Sequence, residues 1–405
     1  MVILLCKYNK NEVIKELDKL YTKVNQESPL LLYDTYEPYT HSFKTKDGAV
    51  FYFCLDYCKY LLYSIFDAAK KNLITKKNFE KEAEEWLKKL HDGSQGCTKE
   101  DYEEFMKKIH EKIISHTVYR KINGVFDIVA DETIGIYTFH STYERNDEIF
   151  NDVTPDFRRM TEHILCNGPT ISVSVQAFDV DSAMKISEEY FLRAENILNV
   201  HNRPKGEGAV TIINHKDYES NSNLILSKDV ISFSSVYGAK WYELDKKLKD
   251  PIIINLLKLS SMPNSKLTDI QKRVLVSIDW IGNGMRLRNT VMGTVSCIIA
   301  MESLLTSKGD KTISPAIAAQ LRDGIAYILC DGVNDRLAMH KTIQELYAIR
   351  SDAVHGVCVQ TVSNNFAEAY GISNRLIDSF VTSVEINEMK HFEELEKFIL
   401  RKRYE

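Results

Sequence analysis

The stretch Ile349–Gly356, IRSDAVHG, closes an apolar-periodic segment and sets an arginine and a histidine five residues apart. An α-helix turns about 100° per residue, so Arg350 and His355 would point roughly 140° apart on one straight helix. A single straight helix therefore does not close both side chains onto one ligand. Either the helix starts or bends here, or a second copy of the element completes the site. Upstream, KLTDIQKRVLVSIDWIG, RLRNTVMGTVSCIIAMESLL, SPAIAAQLRDGIAYILC and DRLAMHKTIQELYAIRSDAVHG each carry apolar residues at helical spacing. Loops holding Gly309, Asp310 and Pro315, and Asp331 with Gly332, divide them. A bundle of four or five helices, with C-terminal helices following, is expected over residues 264–405.

The period changes on the N-terminal side. PIIINLLKLSSMP, residues 251–263, is read as a separator, and residues 119–250 as a small α/β or α+β module. GVFDIVADETIGIYTFHS reads as two strands joined by a short acidic turn. Ile171, Val173, Val175 and Ala177 alternate with Ser172, Ser174 and Gln176, the pattern of a half-buried strand. Asp181 and Ser182 are cap candidates for a helix with a stripe of Ala183, Ile186, Tyr190, Ala194 and Ile197. The GEG turn before AVTIIN has Thr211 where a dinucleotide fingerprint needs its third glycine, so no cofactor site is expected there. Residues 1–118 read as mainly helical with one aromatic-rich element, and Thr98 as an N-cap. The fold class expected for the whole is α+β: a mixed N-terminal part followed by an all-α bundle.

Composition narrows the function. The chain has 405 residues, 44% hydrophobic and 27% charged, enough for more than one core. A net charge of −5 excludes bulk electrostatic coating of nucleic acid or anionic membrane, so any RNA contact needs a local basic patch. Eight cysteines show no CxxC pair, and Cys54 and Cys58 have no histidine beside them, which points to reduced, packed thiols rather than a disulfide frame or metal site. MVILLCKYNKNEV lacks the parts of a signal peptide, and no uninterrupted apolar run is long enough to span a bilayer. A cytoplasmic protein without membrane contact is expected.

Spacing alone does not make Arg350 and His355 a site. The composition gives about 0.4 Arg–His pairs at this spacing by chance, and Arg158 with His163 is one such coincidence. His340 and His391 sit on polar faces and read as solvated. Context separates the pairs. MESLL, then IAAQL, then ELYAIRSDAVHG follow one another at short separations. This arrangement, about residues 265–385, resembles the HEPN superfamily (higher eukaryotes and prokaryotes nucleotide-binding), in particular its Apea-like branch. There a helix with a Glu in an apolar setting precedes a Leu-Tyr-x-x-Arg-Ser-x-x-Val-His-Gly element. Many catalytic members carry Asn, Asp or His after the arginine; this chain has Ser351, as is common in the Apea-like branch.

The resemblance implies a four-helix core that dimerises so that two motifs face each other across one cleft, which would answer the geometric question. The residue types suit RNA cleavage. Imidazole can exchange the 2′-hydroxyl proton near neutral pH, and a guanidinium forks onto phosphate oxygens. His355 is assigned acid/base work and Arg350 phosphate binding; Ser351 and Asp352 would orient the RNA or the imidazole, and Glu302 would buttress Arg350. No carboxylate cluster for paired metal ions accompanies the motif, so a metal-independent reaction without cofactor is expected. The implied role is an endoribonuclease toxin or antiviral effector acting on RNA, often tRNA, with an N-terminal region answering a phage or other regulatory trigger. The alternative is a non-catalytic dimeric HEPN scaffold or RNA- or nucleotide-binding module, with His355 capping its helix and Asp352 merely facing solvent. A basic groove at the dimer seam, with Arg286, Arg288 and Lys341 near it, would favour cleavage.

Overall fold

A computed structural model describes residues 73–92, 98–143, 168–200, 210–212, 242–287, 291–306, 315–356 and 363–404. It also describes the backbone of 41–44, 50–53, 222–227 and 230–235, and a few isolated residues between these. The glycine turn at 206–208, His163, Arg288 and the cysteines at 6, 54, 58, 97 and 358 lie outside the described residues. Contacts divide the chain into two compact units, residues 1–118 with 174–187, and residues 119–173 with 188–405.

In the first unit, β1 (His41–Lys44) and β2 (Val50–Phe53) form an antiparallel hairpin. Helix α1 (Lys76–Asp92) and helix α2 (Lys99–Glu111) share an aromatic core in which Trp86 stacks on Phe105 at 4.7 Å. Thr98 caps α2 as expected, in a reciprocal capping box with Asp101. Helix α3 (Val180–Leu198) begins earlier than its expected caps: the Asp179 carboxylate accepts from the backbone N–H of Ser182 at 2.8 Å. Asp181 and Ser182 are therefore inside the first turn.

A four-stranded sheet has the order β3 (Ile114–Lys121), β7 (Thr170–Ala177), β6 (Tyr137–His140), β5 (Glu132–Ile134). The remaining short strands are β4 (Val125–Phe126), β8 (Ser222–Ser227), β9 (Val230–Ser235) and β10 (Tyr242–Glu243). Ile171, Val173, Val175 and Ala177 are buried as the alternation requires. The β5–β6 hairpin turns at Gly135 and Ile136, with Gly135 at φ +64°, so Asp131 precedes the hairpin and Glu132 opens its first strand, and neither forms the turn. Ser172, on the face expected to meet water, is also buried.

The segment read as a separator is a helix, α5 (Pro251–Ser260), behind the short α4 (Leu244–Leu248). Pro251 occupies the first turn, where no N–H is needed, and Asp250 accepts from the N–H of Ile252 at 2.8 Å. Its C-terminal end meets the sheet: Ser260 Oγ lies 3.0 Å from the Tyr137 hydroxyl, and Ser261 Oγ accepts from the N–H of Ile136.

Beyond it come α6 (Asp269–Arg286), α7 (Val291–Leu305), α8 (Pro315–Leu329), α9 (Val333–Val354), α10 (Ser363–Thr382), the short α11 (Val384–Asn387) and α12 (Phe392–Tyr404). The described residues thus combine a small antiparallel sheet with many helices, an α+β composition. Helix α7 is the central rod. Thr294 to Ile298, Ala300, Met301, Leu304 and Leu305 are all buried. Two glycines let α6 and α7 approach closely: a Cβ on Gly293 would lie 2.4 Å from the Leu287 carbonyl oxygen. Backbone offers no flexible end to yield, so Gly293→Ala is expected to cost about 1–3 kcal/mol in urea denaturation. An unchanged midpoint would show that the two helices are free to separate.

Helix α3 is joined to α6 by buried polar groups. Glu195, 1% exposed, accepts from Arg286 Nη1 at 3.2 Å and from the Ile212 N–H at 2.9 Å. Arg286 also donates to Asn196 Oδ1 at 2.8 Å and to Asn283 Oδ1 at 2.6 Å. Asp279 accepts from Arg193 and from Asn196, completing the network.

Candidate functional site

Glu302 lies near the C-terminal end of α7 and Arg350 near the C-terminal end of α9, and the two helices bring them together. Arg350 Nε is 3.3 Å from Glu302 Oε1, with side chains 29% and 14% exposed. Neither atom makes a well-aligned hydrogen bond among the described residues, so the contact is an ion pair rather than a directed bond. Burial pushes the Glu302 carboxyl above its ordinary range, and the Arg350 guanidinium pulls it partly back. The folded chain therefore holds the Glu302 proton more tightly than the unfolded chain does. That contribution to stability is full below the ordinary glutamate value and is lost as pH rises through the raised one. Relative to Glu302→Gln, the wild type should lose unfolding free energy as pH rises above the ordinary glutamate range, about pH 4, in parallel denaturant titrations. A difference that stays flat or grows with pH would show that Arg350 dominates.

Helix α9 does not start at the motif. It runs unbroken to Val354, and His355 caps it at φ −88° and ψ 8° with its N–H on the Ser351 carbonyl at 3.0 Å. Gly356 follows at φ +74°, the left-handed conformation that ends helices and that glycine adopts without strain. The His355 side chain is exposed and, among the described residues, makes no hydrogen bond or ion pair. Asp352 is exposed and Ser351 half-buried, likewise with no such side-chain contact among the described residues. The structure thus joins Arg350 to Glu302 and leaves His355 apart from both.

No family model, curated protein or solved structure matches this chain.

Two expected neighbours stand elsewhere. Arg286 contributes no free charge to a basic groove, because its guanidinium is spent inside the α3–α6 network. Lys341 is exposed and, among the described residues, pairs with Glu345 at 4.0 Å. His340 is only partly solvated: its Nε2 lies 3.5 Å from Asp323 Oδ1, and burial holds its pKa below the ordinary histidine value, against the pull of Asp323. His391 is exposed, as expected. Arg158 pairs with Glu162 one helical turn away, at 3.1 Å. Cys297 is buried and Cys166 and Cys330 half-buried, and none of the three is in a disulfide among the described residues. Among the described residues no three His, Cys, Asp or Glu side chains are grouped to hold a metal ion, and no helix is long and apolar enough to cross a membrane.

A cluster that the sequence reading did not single out sits on the sheet. His140 Nδ1 is 2.8 Å from Asp131 Oδ2, and its Nε2 is 2.8 Å from Ser172 Oγ. The residues are scattered along the chain, and only the β6–β7 pairing brings the last two together.

Proposed function

We propose that the chain is a HEPN-type endoribonuclease that cuts RNA without a metal ion, working as a homodimer through its helical bundle. The observation that carries this reading is the division of labour at the end of α9: Arg350 is anchored by Glu302, and His355 stands exposed at the helix stop. An anchored guanidinium keeps its remaining N–H groups for phosphate oxygens, where charge builds as the ribose 2′-oxygen attacks phosphorus. His355 exchanges the proton of the 2′-hydroxyl or of the leaving 5′-oxygen. Because α9 runs unbroken through Arg350 and stops at His355, the arginine and histidine that act on one phosphate come, in this reading, from two copies. Products are a 2′,3′-cyclic phosphate and a 5′-hydroxyl. In this reading the chain acts in the cytoplasm as a toxin or antiviral effector, tRNA is a favoured RNA class, and the N-terminal region answers a phage or regulatory trigger.

One observation favours the non-catalytic alternative, a dimeric scaffold or RNA- or nucleotide-binding module. Arg286 is internal, so the positive charge expected around the motif is smaller than its sequence suggests. Incubation of purified protein with total tRNA, with and without chelator, separates the two. Cleavage that persists in chelator supports the nuclease; binding of tRNA by a dimer without cleavage supports the scaffold.

A further inference from the structure

The cluster on the sheet has the order and spacing of a nucleophilic relay. His140 pairs across the sheet with Thr170, and Thr138 with Ser172, so these four side chains share one face. On that face Asp131 Oδ2, His140 Nδ1, His140 Nε2 and Ser172 Oγ form a chain with both links at 2.8 Å. The other Asp131 oxygen accepts from the Ser141 N–H at 2.9 Å and from its hydroxyl at 3.3 Å, which fixes the carboxylate. The Tyr119 and Tyr143 rings flank the imidazole at 5.5 and 5.4 Å, and the Tyr143 hydroxyl lies 2.9 Å from Nδ1.

The proton order follows from the carboxylate. Burial acts to raise the Asp131 pKa, but the hydrogen bonds from His140 and Ser141 outweigh it, and the group is held below the ordinary aspartate range. An ionised carboxylate only accepts, so Nδ1 carries the imidazole proton. Nε2 then presents its lone pair, and the Ser172 hydroxyl must donate to it. A serine hydroxyl donating to an imidazole whose far side is held by a carboxylate is the arrangement that activates oxygen nucleophiles.

We propose that Asp131, His140 and Ser172 form a nucleophilic-serine site that hydrolyses esters of small acyl groups, independent of the Arg350–His355 chemistry. Small size follows from access, since Ser172 is 5% and His140 8% exposed. Ser172 Oγ attacks the acyl carbon and its proton passes to His140 Nε2. The C–O bond to the leaving alcohol breaks, and the alcohol takes that proton. Water then attacks the acyl-serine, gives a proton to Nε2, and the carboxylic acid leaves as Oγ takes the proton back. Thr170 is fully buried, and its Oγ1 has no hydrogen-bond partner among the described residues. It lies across from His140 on the same face and is available to donate to the carbonyl oxygen as it becomes negative.

The test uses the full chain with a fluorophosphonate probe, intact-mass measurement and peptide mapping, alongside 4-nitrophenyl acetate hydrolysis. The expected result is one adduct, on Ser172, and an initial burst of nitrophenolate. His140→Ala should lower both rates by about 10²-fold or more. Ser172→Cys, which keeps a nucleophile in nearly the same volume, should react with iodoacetamide at a rate that falls when His140 is also replaced. An unlabelled Ser172 in folded wild-type protein, or labelling that survives His140→Ala, would overturn the proposal and leave the trio a fastener of the sheet.

Discussion

Replacing His355 with alanine is expected to lower RNA cleavage by about 10²- to 10⁴-fold, the usual worth of a positioned proton-transfer group. The side chain is exposed at the end of α9 and makes no hydrogen bond or ion pair among the described residues, so the loss should come without a change in melting temperature. Arg350→Lys should also lose most activity, because a point charge does not reproduce a planar fork held on one side by Glu302. Arg158→Ala should leave cleavage intact: its guanidinium pairs with Glu162. If His355→Ala cleaves tRNA at the wild-type rate, or cleavage stops with chelator, the mechanism is wrong. A wild type that never cleaves would point to the scaffold.

Arg286→Ala should produce the largest loss of stability, about 3–5 kcal/mol, because it removes the guanidinium that pairs with the buried Glu195 carboxylate. The side chains of the pair are 17% and 2% exposed, so water does not readily replace the guanidinium. Asn196 and Asn283 lose donors in the same step. Removing both charges, as in Arg286→Met with Glu195→Gln, should cost less than Arg286→Ala alone, since no unpaired ion remains. Chemical denaturation of the three proteins decides this. A single-variant loss below about 1 kcal/mol would mean that the network rearranges or admits water.

The contrast between what the sequence made legible and what it hid follows the range of the interactions. Helices α6 to α9 and the Thr98 cap could be read because they depend on neighbours one turn away, and the β7 alternation because a strand's two faces differ by one residue. Helix α5 carried a readable signal too, Asp250 followed by Pro251, that an emphasis on flanking prolines obscured. The pairing of Glu302 with Arg350 was foreseeable only through the family resemblance. The Arg286–Glu195 bond spans 91 residues and has no periodic signature, so nothing in the sequence marks Arg286 as part of an internal network. The same holds for His140 and Ser172, which strand register alone makes neighbours.

The uneven burial of α7 and α9 bears on how the molecule opens. Helix α7 is enclosed along most of its length, whereas α9, about 33 Å long, has only Ile343 and Leu346 buried. Because tertiary packing supplies most of a helix's stability, amides in α7 are expected to exchange with solvent through global unfolding. Those toward the C-terminal end of α9 are expected to exchange through partial opening at lower free energy, which native-state hydrogen exchange would measure. Each such opening carries Arg350 away from Glu302 while the rest of the bundle stays folded. Local unfolding thus breaks the ion pair of the candidate site before the fold itself is lost.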